Sequence, residues 1–141
     1  MPAHSIEAAL ERLWKQAAAS IPDWLPMRHI DWLAEVYAVA GRFRSREPGS
    51  NNVYLILLDY RDRRGHPYGI YVGMSHYSPA QRFDQHKGGI RAAGSVLRRG
   101  LEVLTGPTQH LQHIERTDAA RIEEQLAEAL RASGLTVEGG H

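Results

Sequence analysis

At 141 residues, 43% hydrophobic and 23% charged, the chain has the size and composition of one globular domain with a small appendage, long enough to bury a real core. A formal net charge of +1 points neither toward nor away from nucleic acid, and the absence of cysteine excludes disulfides, thiolate metal sites and thiol nucleophiles. No stretch approaches the ~20 apolar residues of a membrane helix and no leader pattern opens the sequence, so the expectation is a cytoplasmic protein with no membrane partner.

Residues 5–19 read as an amphipathic helix, with Ser5 as cap and Ile6, Leu10, Leu13, Trp14 and Ala17 on one face. Pro22 and Pro26 punctuate a turn before a second helix over 28–40, whose stripe is Ile30, Leu33, Tyr37 and Ala40 and whose stop is Gly41. The polar run RFRSREPGSNN marks a change of organisation. It divides the chain into a helical extension, 1–48, and a second domain, 49–141.

VYLILLD, 53–59, is short, apolar and rich in strand formers, the pattern of a strand buried on both faces. YRDRRGHP is a charged turn and YGIYVG a second strand, which predicts a hairpin with a long loop over 53–73. Pro79 suits the first turn of a helix over about 79–87, ended by Gly88 and Gly89. Residues 91–100 predict a basic helix and LQHIERT a third strand. A long helix follows over 118–133, capped by Thr117 or Asp118, with Ile122, Leu126 and Leu130 inward and Gly134 at its stop; LTVEGGH reads as a tail. The class is α+β.

Arg82 and His86, four apart, share one face of the short helix that follows the strand of Tyr71. Tyr54 lies on the partner strand, and Glu123 lies beside the inner stripe of the late helix. Two phenols, a guanidinium, an imidazole and a carboxylate over one small sheet suit phosphodiester hydrolysis. A hard divalent cation often takes one or two carboxylates plus phosphate and water. A guanidinium holds phosphate oxygens as charge builds on them, and a phenol or imidazole handles the proton of the attacking water. Singly, each residue has a plainer explanation: a packed strand tyrosine, a surface arginine, a histidine favoured by a helix C-terminus, a solvated acidic face shared with Glu124 and Glu128. His110 and His113 show no ligand spacing and read as surface residues.

Taken in order, NVY (52–54), YVG (71–73), Ser75, RFDQH with Arg82 and His86, and the glutamate helix AARIEEQLAEAL resemble the GIY-YIG nuclease family over roughly residues 52–141. The resemblance implies a small three-stranded mixed or antiparallel sheet flanked by helices, and a divalent-metal-dependent endonuclease that cuts DNA in preference to RNA. In that register Tyr54 is the general base or water-orienting hydroxyl, and Tyr71 positions phosphate or water. Arg82 stabilises the transition-state phosphate, His86 assists proton transfer or orients Tyr54, and Glu123 rather than Glu124 holds Mg²⁺ or Mn²⁺. The basic residues Lys87, Arg91, Arg98 and Arg99 are the expected nucleic-acid contacts. The chain departs from the family's pattern in replacing the first Gly-Ile, in the inserted loop 60–67, and in having no asparagine after Asn52. A nucleic-acid-binding module that keeps the fold without turnover is the alternative, and an unrelated α+β domain the third.

Overall fold

The structure is a computed structural model that describes Arg12 and residues 30–140. The chain forms two compact units, residues 1–42 and 43–141. The helix expected over 5–19 lies outside the described residues, apart from Arg12, which is helical. In the first unit, helix α1 spans Leu33–Ala40 and buries Leu33, Val36, Val39 and Ala40. Ile30 is buried as expected, but Tyr37 is only half-buried, so the buried stripe runs through the two valines instead. The second unit begins before residue 49, because Pro48 already opens the first strand.

The elements of the second unit, in order, are β1 (Pro48–Asp59), β2 (Tyr68–Ser75), α2 (Pro79–Lys87), α3 (Gly94–Arg99), β3 (Gly100–Val103), a 3₁₀ turn (Gly106–Leu111), α4 (Arg116–Ala132) and β4 (Val137–Gly139). The sheet has four strands in the order β3-β1-β2-β4, not three. β1 is antiparallel to β2 and β3, and β4 is parallel to β2, so the class is α+β with a mixed sheet.

Two differences from the sequence reading account for the fourth strand. The third strand is Gly100–Val103, not LQHIERT. A Cβ on Gly100 would lie 2.6 Å from the Val96 carbonyl and 3.1 Å from the Phe83 ring, so only glycine lets the chain leave α3 and pair at once with β1. Pro107 opens the 3₁₀ turn, and Ile114 keeps only isolated bridges to Pro48 and Asn51. The expected tail supplies β4. Gly134, at φ 90°, stops α4 as expected. Bonds from the Gly140 N–H to the Val72 carbonyl (3.0 Å) and from the Arg131 guanidinium to the Gly139 carbonyl (2.9 Å) hold the last strand.

Every residue from Val53 to Leu58 is buried, as an apolar run covered on both faces requires. On one face Tyr54, Ile56, Leu58 and Tyr60 pack with Val96, against Tyr71, Phe83, Ala93 and Val103. α2 starts with a full capping box: the Ser78 hydroxyl accepts from the Gln81 N–H, the Gln81 side chain accepts from the Ser78 N–H, and Pro79 fills the first turn. α4 packs on β1 and β2. Its cap is Glu115, not Thr117 or Asp118: the carboxylate accepts from the Thr117 and Asp118 N–H groups at 2.8 and 3.0 Å, which holds its pKa below the usual range.

Candidate active site

β1 and β2 pair in a register that sets Tyr54 opposite Gly73 and Tyr71 opposite Ile56, leaving the two phenol rings 6.2 Å apart. α2 returns over them. The His86 ring lies 6.2 Å from that of Tyr54 and 5.6 Å from that of Tyr71, edge-on to the latter. The Tyr54 hydroxyl and His86 Nε2 are 3.0 Å apart, and both residues are buried.

The backbone decides the direction of that bond. The Ala93 N–H donates to His86 Nδ1 at 3.0 Å, so Nδ1 carries no proton. The ring proton therefore sits on Nε2, which donates to the Tyr54 oxygen. Burial, and then the Arg82 charge, push the His86 pKa down to about 4, so the ring is neutral at pH 7. With its oxygen already accepting from His86, Tyr54 directs its own hydroxyl proton onward to Tyr71, where that bond offsets only a small part of the rise that burial and Glu123 impose on the Tyr71 pKa.

Both phenols remain protonated at neutral pH. Burial is the main cause for each; Tyr71 and Glu123 raise the Tyr54 pKa further, and Glu123 raises that of Tyr71. Arg82 opposes these effects at both hydroxyls. Glu123 is 5% exposed on α4, whereas Glu124 faces solvent. Burial, and then the charge of Glu124, raise the Glu123 pKa to about 7, against a counteracting hydrogen bond from the Met74 backbone N–H.

Arg82 acts on the phenols from a position held by the loop after α2. Its guanidinium donates to Gln85 Oε1 (3.1 Å), to the Ile90 carbonyl (3.1 Å) and to the Arg91 carbonyl (2.8 Å). Arg91 itself adopts φ 45°, a left-handed conformation uncommon outside glycine, and the Arg82 bonds span that turn.

The fold thus brings Tyr54, Tyr71, Arg82, His86 and Glu123 into one electrostatically coupled cluster. The expected nucleic-acid contacts divide into two groups. Lys87 Nζ donates to the Leu97 and Gly100 carbonyls at 3.2 and 3.1 Å, closing the end of α3. Arg99 pairs with Asp62 at 2.6 Å, donates to the Asp59 carbonyl and lies 4.7 Å over the Tyr60 ring, so it fastens the loop 60–67 to the sheet. Arg91 and Arg98 line open clefts, and Arg99 shares the cleft of Arg98.

Each cleft shares a residue with the cluster. One, of about 500 Å³, has walls that include Tyr71, Arg63, Arg98 and Glu138. The other, of about 550 Å³, includes Met74, Tyr77, Arg82, Arg91 and Arg116. The sequence reading missed Arg116, Tyr77 and the Ala93 N–H. The last is a backbone group that no residue pattern reveals. Tyr77 was discoverable as an aromatic two residues past Ser75, and Arg116 as the first residue of the glutamate helix. His110 and His113 are exposed, as expected.

Among the described residues no group of three or more His, Asp or Glu side chains is placed to hold a metal ion. One buried carboxylate beside two hydroxyls nevertheless suits a hard cation that keeps most of its water and takes its other ligands from phosphate. No helix among the described residues is long and apolar enough to cross a membrane. Neither a family model, nor a curated protein, nor a solved structure matches this chain.

Proposed function

We propose that the cluster hydrolyses phosphodiester bonds of nucleic acid, DNA in preference to RNA, as a divalent-metal-dependent endonuclease of GIY-YIG type in the cytoplasm. The observation that carries this reading is the ordered chain from the Ala93 N–H through His86 to Tyr54, ending beside Tyr71 and a buried carboxylate whose pKa is about 7. A structural tyrosine pair has no need of a histidine fixed in one tautomer, nor of a carboxyl that titrates at working pH.

In this reading the roles of the two tyrosines separate. Tyr54 is 2% exposed and accepts from His86, so it aligns Tyr71. Tyr71 lines a cleft and is the hydroxyl that orients the attacking water. Arg82 faces the other cleft and meets the phosphate oxygens as charge accumulates there. Glu123 would hold a Mg²⁺ or Mn²⁺ ion, which supplies charge neutralisation at the phosphate when bound. His86 acts through Tyr54, because its Nδ1 is occupied by Ala93 and its Nε2 proton by Tyr54. Arg91 and Arg98 contribute sequence-independent phosphate contacts in the two clefts.

The test is incubation of the purified chain with supercoiled plasmid and with single-stranded DNA, with Mg²⁺ or Mn²⁺ and with EDTA, over a range of salt. Nicked or linear product that requires the metal is expected. No cleavage under any condition would end the reading. A binding module without turnover has one observation in its favour: the Arg82 guanidinium is already engaged by three partners inside the fold.

A further inference from the structure

Tyr77 and His76 stand just past the end of β2, and both are exposed, Tyr77 at 41%. Their rings lie 4.2 Å apart at an interplanar angle of 35°, forming a two-ring shelf. The shelf is fixed from beneath. The Tyr77 N–H donates to Ser75 Oγ at 3.0 Å, and the Tyr77 carbonyl accepts from Asn52 Nδ2 at 2.9 Å. Asn52 is itself buried, at 3% exposure, and is locked on its other side by the His113 N–H donating to its Oδ1 at 2.9 Å. A buried amide spent on holding one exposed turn gives that turn a defined geometry before any ligand arrives.

The same cleft of about 550 Å³ is lined by the guanidinium-bearing residues Arg82, Arg91 and Arg116, and among its described wall residues there is no acid. Asn51, Ser75 and Gln85 add hydrogen-bonding groups to the walls. An exposed π-face, three cations and neutral donors and acceptors match one kind of ligand: a nucleotide whose base is unstacked and whose phosphates lie alongside. A base inside an intact duplex is already stacked on both faces and offers nothing to the shelf.

We infer that this cleft binds an unpaired nucleotide, its base stacked on Tyr77 and its phosphates toward Arg91 and Arg116, so that the strand entering the site is single-stranded or locally opened. The inference rests on the nuclease reading for the strand's destination, since Arg82 belongs to both the cleft and the catalytic cluster.

The probe is a short single-stranded DNA carrying one 2-aminopurine, titrated in EDTA so that nothing is cut, with the matching duplex as control. Stacking on the shelf quenches 2-aminopurine when the wild-type chain binds. Tyr77→Ala should weaken single-strand binding by roughly 5- to 150-fold, the loss of one base–aromatic stack. Tyr77→Trp should retain both affinity and quenching, and duplex binding should be the same for all three proteins. Unchanged single-strand affinity in Tyr77→Ala, or binding without quenching, overturns the inference. Quenching that depends on Tyr77 in a chain that never cuts plasmid leaves the shelf standing and removes the nuclease reading. Metal-dependent cleavage with single-strand binding indifferent to Tyr77 does the reverse.

Discussion

Tyr54 and Gly73 are cross-strand partners, and the phenol of Tyr54 occupies the space a side chain at Gly73 would fill. A Cβ there would meet Tyr54 Cζ and Oη at 2.5 Å and Tyr71 Cε1 at 2.9 Å, and the buried Tyr54 ring has no room to withdraw from a packed core. Gly73→Ala should therefore displace the Tyr54 hydroxyl from His86. The expected cost is ~1–3 kcal/mol of stability from overpacking, with cleavage lost in protein that is still folded. Urea titration and a plasmid assay on the same preparation check both halves.

His86 is held by bonds at both ring nitrogens, and its depressed pKa makes acid a specific stress. The folded-state value of about 4 lies below the ordinary 6.5, so the unfolded chain binds more protons between the two. The contribution of neutral His86 is fully present above pH 6.5 and is lost as pH falls toward 4, by up to ~3 kcal/mol. In His86→Gln, an amide oxygen can accept from Ala93 while the amide nitrogen donates to Tyr54. That variant should keep most of the neutral-pH stability and lose the acid sensitivity. Nitrogen chemical shifts of the ring should report the Nε2–H tautomer down to about pH 5; an Nδ1–H form at pH 7 would refute the assigned direction of the bond.

Glu123 titrates with the opposite sign. Its folded-state pKa of about 7 lies above the ordinary 4.5, so the folded chain holds the extra proton. The stability from the buried neutral carboxyl is present below 4.5 and is lost as pH rises through 7. In EDTA, Glu123→Gln should be more stable than wild type at pH 8, with a thermal midpoint less dependent on pH above 6. Mg²⁺ or Mn²⁺ should raise the wild-type midpoint at pH 8, because the ion binds the ionised carboxylate within a site that only the folded chain assembles. The Gln variant should show no such rise and no cleavage, while Glu124→Ala keeps both.

Arg82 and Lys87 both lie on α2, Arg82 half-buried and Lys87 exposed, and should fail differently. Arg82→Ala should cut the single-turnover rate by roughly 10²–10³, the loss of one charged donor at the phosphate. It should also speed amide exchange around Ile90 and Arg91, whose carbonyls it holds. Lys87→Ala should cost about 1 kcal/mol of stability through the Leu97 and Gly100 carbonyls and leave DNA affinity unchanged. Loss of affinity in Lys87→Ala at constant stability would return that lysine to the nucleic-acid contacts.

The sequence by itself determined the elements whose signals are local. The unbroken apolar run 53–58 made β1 a strand covered on both faces. Ser78, Pro79 and Gln81 fixed the start of α2, and the spacing of Ile122, Leu126 and Leu130 set α4 in the register that buries Glu123 and exposes Glu124. Only the tertiary structure decided the rest, because it depends on groups far apart in the chain or without side chains. β3 exists because Gly100 fits under Phe83 and Val96, and β4 because an apparent tail finds the open edge of β2. The proton on His86 is placed by a backbone N–H seven residues away. Lys87 and Arg99 are tied back to the fold by carbonyls and by Asp62, which an inventory of charges cannot foresee. A helix or a strand announces itself through the period of its side chains; the partner of a polar atom is chosen only when the packed chain decides which groups lose their water.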